Sequence, residues 1–150
     1  RKESGSLPIT DVEMTRFMIS LDDGVKLVWH AFDDMEGGEI YVKKIPSMKV
    51  IDIANVIAPD AKQEIIGIRP GEKLHEQMIG YEDAPYTFEY DDHFKILPAI
   101  HDWFKDKERI KNGKRVEKNF IYTSDNNSEW MSNKSLRDWL DLNSMHIGKI

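Results

Sequence analysis

Arg69 stands in the sequence where a phosphate-bearing ligand could be bound. The stretch IGIRPGEKLHEQMI, residues 66–79, places it after an apolar run and follows it with Pro70, Gly71 and Glu72. An arginine keeps its charge and can donate two parallel hydrogen bonds to phosphate oxygens. Glu72 could accept hydrogen bonds from sugar hydroxyls. Arg69 and Glu72 are therefore candidate substrate-binding residues, and a capped helix with a surface arginine is the alternative interpretation.

The residues after Arg69 restrict the backbone there. Pro70 fixes its own φ and biases Arg69 towards an extended conformation, while Gly71 permits a turn. We predict a short helix from Gly71 onward, whose first unpaired N–H groups would face an anion.

Arg16 is the second candidate. It lies in PITDVEMTRF, residues 8–17, beside Phe17 and in a stretch with few charges. Two arginines at the ends of apolar stretches would suit a diphosphate better than either one alone. An ordinary surface arginine is the alternative here too.

Most familiar catalytic signatures are missing from the 150 residues. There is no G-x-G-x-x-G or Walker loop, no G-x-S-x-G elbow and no tyrosine with a lysine four residues later. His75 and Glu76 begin like a zinc-protease motif, but no second histidine follows, and the other histidines are scattered. We predict no catalytic residue, no cofactor-binding residue and no metal site in this chain.

Composition restricts the partners and the compartment. The formal net charge of -6 argues against non-specific nucleic-acid binding. The chain has no cysteine, which is typical of a reducing compartment and predicts a cytoplasmic location. No apolar run approaches the roughly 18 residues that a membrane span needs. Because the sequence does not begin with methionine, we expect it to be a piece of a longer protein.

The elements that must position the candidate residues alternate between helix and strand. Apolar residues at steps of three or four predict a helix from Ser20 to Met35, capped by Ser20, with its apolar stripe at Leu21, Val25, Val28, Phe32 and Met35. We further predict strands at 39–45 and 63–68, a helix at 50–58, two short aromatic strands in 81–100, a charged loop at 101–119 and a final helix from about 132. This alternation predicts an α/β fold of the α+β kind.

Several of these stretches resemble one known family. The stretches PITDVEMTRFMISLDDGV, GGEIYVKKIPSMKVIDIA and IIGIRPGEKLHEQMI closely resemble the C-terminal half of the inverting UDP-N-acetylglucosamine 4,6-dehydratases. These enzymes form part of the polysaccharide-biosynthesis branch of the extended short-chain dehydrogenase/reductases. FIYTSDNNSEWMS resembles the closing Tyr-x-Ser-x-x-Asn-x-x-Trp motif of that branch. The resemblance covers residues 8 to about 142 and is weak over 101–114.

The resemblance implies a two-part parent enzyme. An N-terminal Rossmann domain holds NADP and the catalytic tyrosine, lysine and acid, and a smaller C-terminal domain holds the UDP portion of the substrate. This chain would be the C-terminal substrate-binding domain of an extended short-chain dehydrogenase/reductase without its Rossmann domain. Residues 1–97 would form the UDP-sugar-binding part. Residues 98–150 would form a loop and tail, with a terminal helix that packs on that part or on a neighbouring subunit.

The resemblance also implies roles for individual residues. Arg69 matches the arginine that binds the diphosphate, Glu72 the acid that contacts the ribose, and Arg16 a residue lining the nucleotide-sugar site. In the whole enzyme, NADP takes hydride from C4 of the sugar, water leaves across C5 and C6, and hydride returns at C6 with C5 inverted. The product feeds pseudaminic acid or related surface-glycan pathways. We expect NADP in the full-length parent, no cofactor for this chain, and no activity of this chain alone.

The implied partners are UDP-N-acetylglucosamine or UDP, the Rossmann half of the parent, and further copies in a homo-oligomer. The alternative function is a catalytically silent oligomerisation or assembly module with no ligand affinity of its own. The aromatic residues of the tail would then hold subunits together, whereas plain core filling is their alternative role. These residues are Phe120, Tyr122, Trp130 and Trp139.

Overall fold

The computed structural model describes residues 5–100 and 105–143. In chain order, their strands and α-helices are β1 (Ser6–Ile9), β2 (Thr15–Phe17), α1 (Leu21–Asp34), β3 (Ile40–Lys43), β4 (Ser47–Lys49), α2 (Val50–Ile57), β5 (Lys62–Ile65), β6 (Gln77–Ile79), β7 (Thr87–Glu89), β8 (His93–Ile96), α3 (Lys107–Ile110), β9 (Lys114–Arg115), β10 (Tyr122–Thr123) and α4 (Asn133–Leu142). This mixture of helices with several small sheets confirms the predicted fold class. None of the helices in the described ranges is long and apolar enough to cross a membrane.

The described chain divides into two compact units, each built from separate segments. The first contains residues 5–18, 46–76 and 124–143, and the second contains the rest. Each unit includes residues from both sides of position 97. The predicted roles of 1–97 and 98–150 concern ligand binding and packing, and they stay a prediction.

Two pairs of strands and two helices form the first unit. β1 runs parallel to β5, and β2 runs antiparallel to β4 with Arg16 opposite Met48. The stretch 10–17, which contains the candidate Arg16, therefore ends in a strand. α2 begins and ends close to its predicted bounds, α4 begins close to its predicted start, and the two helices pack on each other. Ser132 caps α4 by accepting from Ser135 N–H at 3.0 Å, and Leu136 is fully buried.

An antiparallel sheet forms the centre of the second unit. Its four strands lie in the order β3-β8-β7-β9, and a separate pair joins β6 to β10. The two aromatic strands predicted in 81–100 are β7 and β8. Phe94 on β8 contacts the rings of Phe120 and Tyr122, each at 5.2 Å between centroids. Tyr122 is 5% exposed, so core filling accounts for its side chain, as one of the two interpretations predicted.

Helix α1 confirms the predicted helix but not the burial that an apolar stripe usually indicates. Ser20 caps it by accepting from Asp23 N–H at 3.1 Å. None of its residues is buried. Exposed apolar side chains on α1 and just after it are Leu21, Val25, Val28, Trp29, Phe32 and Met35.

The helix predicted from Gly71 is wrong. Residues 69–72 form a β-turn in which Glu72 N–H donates to Arg69 C=O at 3.0 Å, with Pro70 and Gly71 at its two central positions. Gly71 has φ of +81°, which is the left-handed conformation that a type II turn requires there. A residue in that conformation cannot begin a right-handed helix, so the chain continues as an irregular segment to β6.

The charged stretch 101–119 is also more structured than predicted. Residues 101–104 lie outside the described residues. Asp106 then caps the one-turn helix α3 by accepting from the N–H groups of Glu108 and Arg109. The short strand β9 follows and pairs with β7. The many charged residues predicted a surface loop, since charge indicates exposure to solvent. Charge does not indicate that one residue caps a turn.

Candidate functional site

Glu72 is fixed inside the turn that carries Arg69. Its Oε2 accepts from Arg69 N–H at 3.2 Å and lies 3.7 Å from Arg69 Nε. Its Oε1 accepts from the hydroxyl of Thr10 at 3.2 Å. Both oxygens of Glu72 therefore hold the turn, and a bound ribose would have to share them.

Arg69 presents its guanidinium to solvent. Its side chain is 72% exposed, and Glu72 is its partner through Nε. Within residues 5–100 and 105–143, its two terminal nitrogens make no hydrogen bond. These nitrogens remain able to donate two parallel hydrogen bonds to a phosphate. Arg69 is therefore the candidate residue best suited to bind an anion.

Arg16 has most of its donors engaged by its own chain. Nη1 donates to the carbonyls of Thr15 and Leu74 at 2.7 and 3.1 Å, and Nη2 donates to the carbonyl of Lys73 at 3.0 Å. Nε lies 3.5 Å from the carboxylate of Glu76. A guanidinium has five N–H groups, so one remains for a ligand unless a partner is given up. Arg16 holds the segment after the turn, and no hydrogen bond joins it to Arg69 among the described residues.

A buried polar cluster adjoins Arg16 in the first unit. The hydroxyl of Thr15 lies 2.6 Å from that of Ser124 and 2.8 Å from Nδ1 of His75. Ser124 Oγ also accepts from Glu76 N–H at 2.9 Å. Sequence reasoning did not single out Thr15 or Ser124. The available signal was the Tyr-x-Ser-x-x-Asn-x-x-Trp motif, in which Ser124 is the serine.

The second unit contains a buried ion pair that the sequence did not reveal. Lys95 is 1% exposed, pairs with Asp34, and donates to the carbonyl of Arg109 at 2.9 Å. Its ammonium lies 5.3 and 5.2 Å from the ring centroids of Tyr41 and Tyr90. Burial alone would raise the pKa of Asp34, but hydrogen bonds from lysines and from Tyr41 outweigh it and hold that pKa well below its usual range.

His93 is the buried titratable group of the same sheet. Its ring stacks on Tyr90 at 4.6 Å and meets His30 at 4.7 Å, and its Nδ1 lies 2.9 Å from Asp92. Nε2 has no hydrogen-bond partner in the described part of the chain. Burial lowers the pKa of His93 although Asp92 opposes this effect. The hydrogen bond with His93 in turn lowers the pKa of Asp92 to about 2.

We expect the second unit to lose stability as the pH falls below about 6.5, the ordinary pKa of histidine. The unfolded chain then takes up a proton at His93 that the folded chain does not. The unfolded state therefore binds more protons in this window, and stability rises with pH there. Urea unfolding between pH 7.5 and 5 should show this slope in the wild type and a reduced slope in His93→Phe. His30→Gln, at an exposed neighbour, should keep the slope, and an unchanged slope in His93→Phe would contradict the assignment.

The described part of the chain contains neither a metal-ligand cluster nor a glycine-rich turn that could bind a dinucleotide. No group of three or more histidine, aspartate and glutamate side chains in the described ranges could hold a metal ion. The helices α1, α2 and α4 follow Ser20, Lys49 and Ser132, and no glycine-rich turn leads from a strand into any of them. The described residues therefore offer no glycine-rich strand-to-helix turn for the pyrophosphate of NADP, and the absence of a cofactor from this chain stays a prediction.

Comparison with known proteins supplies the family. The family described as "Polysaccharide biosynthesis protein" matches residues 1–98. A protein of Campylobacter jejuni subsp. jejuni serotype O:2, named UDP-N-acetylglucosamine 4,6-dehydratase (inverting), is 50% identical over 135 residues, which are 87% of this chain and 40% of that protein. A protein of the same name from serotype O:23/36 is 47% identical over 140 residues, 90% of this chain and 42% of that protein.

A solved structure shares the fold as well. The X-ray structure of Pen from Bacillus thuringiensis matches 96% of this chain and 42% of its own chain, with a TM-score of 0.77 and 28% identity. This chain thus spans about two fifths of the length of the relatives it matches. The matches confirm the resemblance found in the motifs, and the chain belongs to the polysaccharide biosynthesis protein family, as a partial chain similar to inverting UDP-N-acetylglucosamine 4,6-dehydratases.

Proposed function

We propose that this chain is the nucleotide-sugar-binding portion of an inverting UDP-N-acetylglucosamine 4,6-dehydratase that serves surface-polysaccharide or pseudaminic acid type sugar biosynthesis. The observation that carries the proposal is the exposed guanidinium of Arg69, held on the 69–72 turn, whose terminal nitrogens have no hydrogen-bond partner among residues 5–100 and 105–143. Two curated relatives at 50% and 47% identity bear the name of this activity. The cytoplasmic location stays a prediction.

In this proposal each candidate residue has its own task. Arg69 binds the diphosphate of the UDP moiety, because a guanidinium can pair two of its N–H groups with phosphate oxygens. Glu72 keeps the turn closed and lies next to the ribose. Arg16 anchors the segment that follows the turn and offers one further N–H to the ligand. The residues of this chain bind and orient the substrate, and NADP, bound by the rest of the parent enzyme, supplies hydride transfer.

Titration with UDP tests the proposal on the chain as it stands. We expect calorimetry or NMR shift mapping to detect UDP and pyrophosphate, both with shifts around residues 69–76. Uridine without phosphates should bind far more weakly, because it gives Arg69 no anionic partner. If UDP produces no heat and no shifts at millimolar concentration, the alternative of an assembly module without ligand affinity gains support.

The exposed stripe of α1 supports the Rossmann half of the parent as a partner. Phe32 is 66% and Trp29 65% exposed, and such large apolar side chains are seldom left together on a free surface. Next to this helix, β3 is the end strand of its sheet, so one edge has no neighbour among the described residues. Lys44 N–H donates to the carbonyl of Asp92, so these two residues form a hydrogen-bonded pair of the antiparallel ladder. Such pairs alternate with non-hydrogen-bonded pairs, and Tyr41 lies in one of the latter. The backbone N–H and C=O of Tyr41 therefore point towards the open edge of β3.

Charge favours a different polypeptide segment over a second copy as the occupant of this stripe. Acidic residues lie at both ends of α1, including Asp22 and Asp33, and Lys26 is the only lysine or arginine within the helix. Two α1 helices packed side by side would bring acidic ends together in either orientation, which is destabilising. The other candidate occupant of the stripe is the part of the curated relatives that this chain does not match, about three fifths of their length.

We expect Phe32→Ser to leave the stability of the isolated chain within about 0.5 kcal/mol, because the side chain is largely exposed. The same change should weaken binding to the unmatched part of the Campylobacter jejuni dehydratase, expressed as a separate polypeptide. Asp33→Ser, at the next and also exposed position, should leave binding nearly unchanged. Thermal unfolding and surface plasmon resonance measure the two quantities.

Other results would assign the stripe differently. A dimer of the isolated chain that Phe32→Ser dissociates, seen by sedimentation, would place a second copy on α1 and would favour the oligomerisation function. Equal binding of Phe32→Ser and Asp33→Ser to the dehydratase part would mean that the stripe of α1 does not lie in the interface. The predicted homo-oligomer stays a prediction that the same sedimentation experiment tests.

A further inference from the structure

Hydrogen bonds among four residues connect three segments of the first unit that are distant in sequence. We name Thr15, His75, Glu76 and Ser124 the Ser124 lock. Ser124 is fully buried and Thr15 is 2% exposed. The two hydroxyls are 109 positions apart in sequence and lie 2.6 Å apart in space. A buried hydrogen-bond network of this kind is stabilising when every member has a partner.

Each hydroxyl hydrogen of the lock can be given an acceptor within the lock. Ser124 O–H can donate to Thr15 Oγ1, and Thr15 O–H can then donate to Nδ1 of His75. Ser124 Oγ accepts from Glu76 N–H at 2.9 Å, and Ser124 N–H donates to the carbonyl of Glu76 at 2.8 Å. The lock thus fixes the backbone at Glu76 by two opposed hydrogen bonds.

The lock acts on the two segments that carry the candidate site. Thr15 immediately precedes Arg16 in β2, and Thr15 N–H also donates to the carbonyl of Leu74 at 3.1 Å. His75 and Glu76 end the segment that starts at the Arg69 turn. Asn127, three residues after Ser124, donates to the hydroxyl of Ser47 on β4, which pairs with β2. The 124–127 segment therefore holds both the strand of Arg16 and the far end of the turn segment.

We infer that the Ser124 lock is a positioning device that sets the place of the Arg69 turn and thereby the affinity for the diphosphate of a nucleotide sugar. Ser124 and Thr15 are positioning residues, because both are buried and act through residues 69–76. Without the lock, Arg16 still reaches the carbonyls of residues 73 and 74, but the backbone at Glu76 loses its acceptor. The effect on affinity rests on the proposed function, whereas the effect on the backbone does not.

Ser124→Ala compared with Ser132→Ala tests this inference. Both variants remove one serine hydroxyl that accepts a backbone N–H in the first unit, since Ser132 caps α4. We expect both to lose stability, but only Ser124→Ala to bind UDP about tenfold more weakly, the factor for one lost hydrogen bond. Amide exchange at Glu76 should become at least about tenfold faster in Ser124→Ala than in Ser132→Ala for the same reason.

A second pair keeps the test available if Ser124→Ala does not fold. Thr15→Ser retains the hydroxyl, and Thr15→Val retains the shape without it, so only Thr15→Val should weaken UDP binding and speed exchange at Glu76. Equal UDP affinity and equal exchange within either folded pair would overturn the inference and leave the proposed function intact. If the wild type itself does not bind UDP, the proposed function fails, and the exchange measurement alone then supports or overturns the lock.

Discussion

Lys95→Met is expected to lower the free energy of unfolding by about 3 kcal/mol, the lower end of the range for breaking a buried ion pair. Lys95 is 1% exposed, so methionine preserves most of the packed volume between the Tyr41 and Tyr90 rings. The loss arises because Asp34, which is also largely buried, keeps its charge but loses its most buried partner. Urea unfolding at pH 7 measures the change.

Lys111 provides a matched control, because it pairs with the other carboxylate oxygen of the same Asp34. Its side chain is half exposed, so water can replace the ammonium, and Lys111→Met should have a much smaller effect. The double variant Lys95→Met with Asp34→Asn should recover part of the loss, since no unpaired charge remains buried. If Lys95→Met and Lys111→Met prove equally stable, the burial of the Lys95 pair has no energetic consequence.

Local signals in the sequence predicted α1, α2 and the start of α4 well. Ser20 and Ser132 precede apolar residues spaced at three and four, and each caps a helix in the structure. The same kind of reasoning fails at Gly71, from which it predicts a helix, because this glycine occupies the left-handed position of a turn. Proline followed by glycine suits both outcomes, and the positive φ that decides between them is not visible in the sequence.

Long-range contacts were the part of the site that the sequence could not reveal. The motif around Arg69 and Glu72 was recognisable because its residues are neighbours in the chain. The engagement of Arg16 by the carbonyls of residues 73 and 74 depends on backbone groups that every residue possesses. The partner of Thr15 is 109 positions away. Similarly, an apolar stripe predicts that α1 is covered, but it does not identify the surface that covers it.

Arg69→Ala is expected to weaken UDP binding by about ten- to a hundredfold. A hydrogen bond to a charged group contributes roughly 1.5–3 kcal/mol, and about 1.4 kcal/mol corresponds to a factor of ten. Folding should be nearly unaffected, because the side chain is 72% exposed and the turn is closed by the Arg69 backbone and Glu72. Arg69→Lys should recover only part of the affinity, since an ammonium cannot make the two parallel bonds.

Lys73→Ala separates a specific diphosphate contact from general attraction of an anion by positive charge. Lys73 is exposed in the same segment and carries the same charge as Arg69. Its carbonyl accepts from Arg16, but its side chain has no role in the proposed site. If Arg69 binds the diphosphate, Lys73→Ala should lose at most a small part of the affinity, and the loss should shrink with added salt. Glu72→Gln should weaken UDP binding less than Arg69→Ala and leave pyrophosphate binding nearly unchanged, because pyrophosphate has no ribose. Calorimetry on folded variants distinguishes these results. Equal losses from Arg69→Ala and Lys73→Ala would mean that net charge attracts the ligand, and Arg69 would then be only a solvent-exposed residue of the turn.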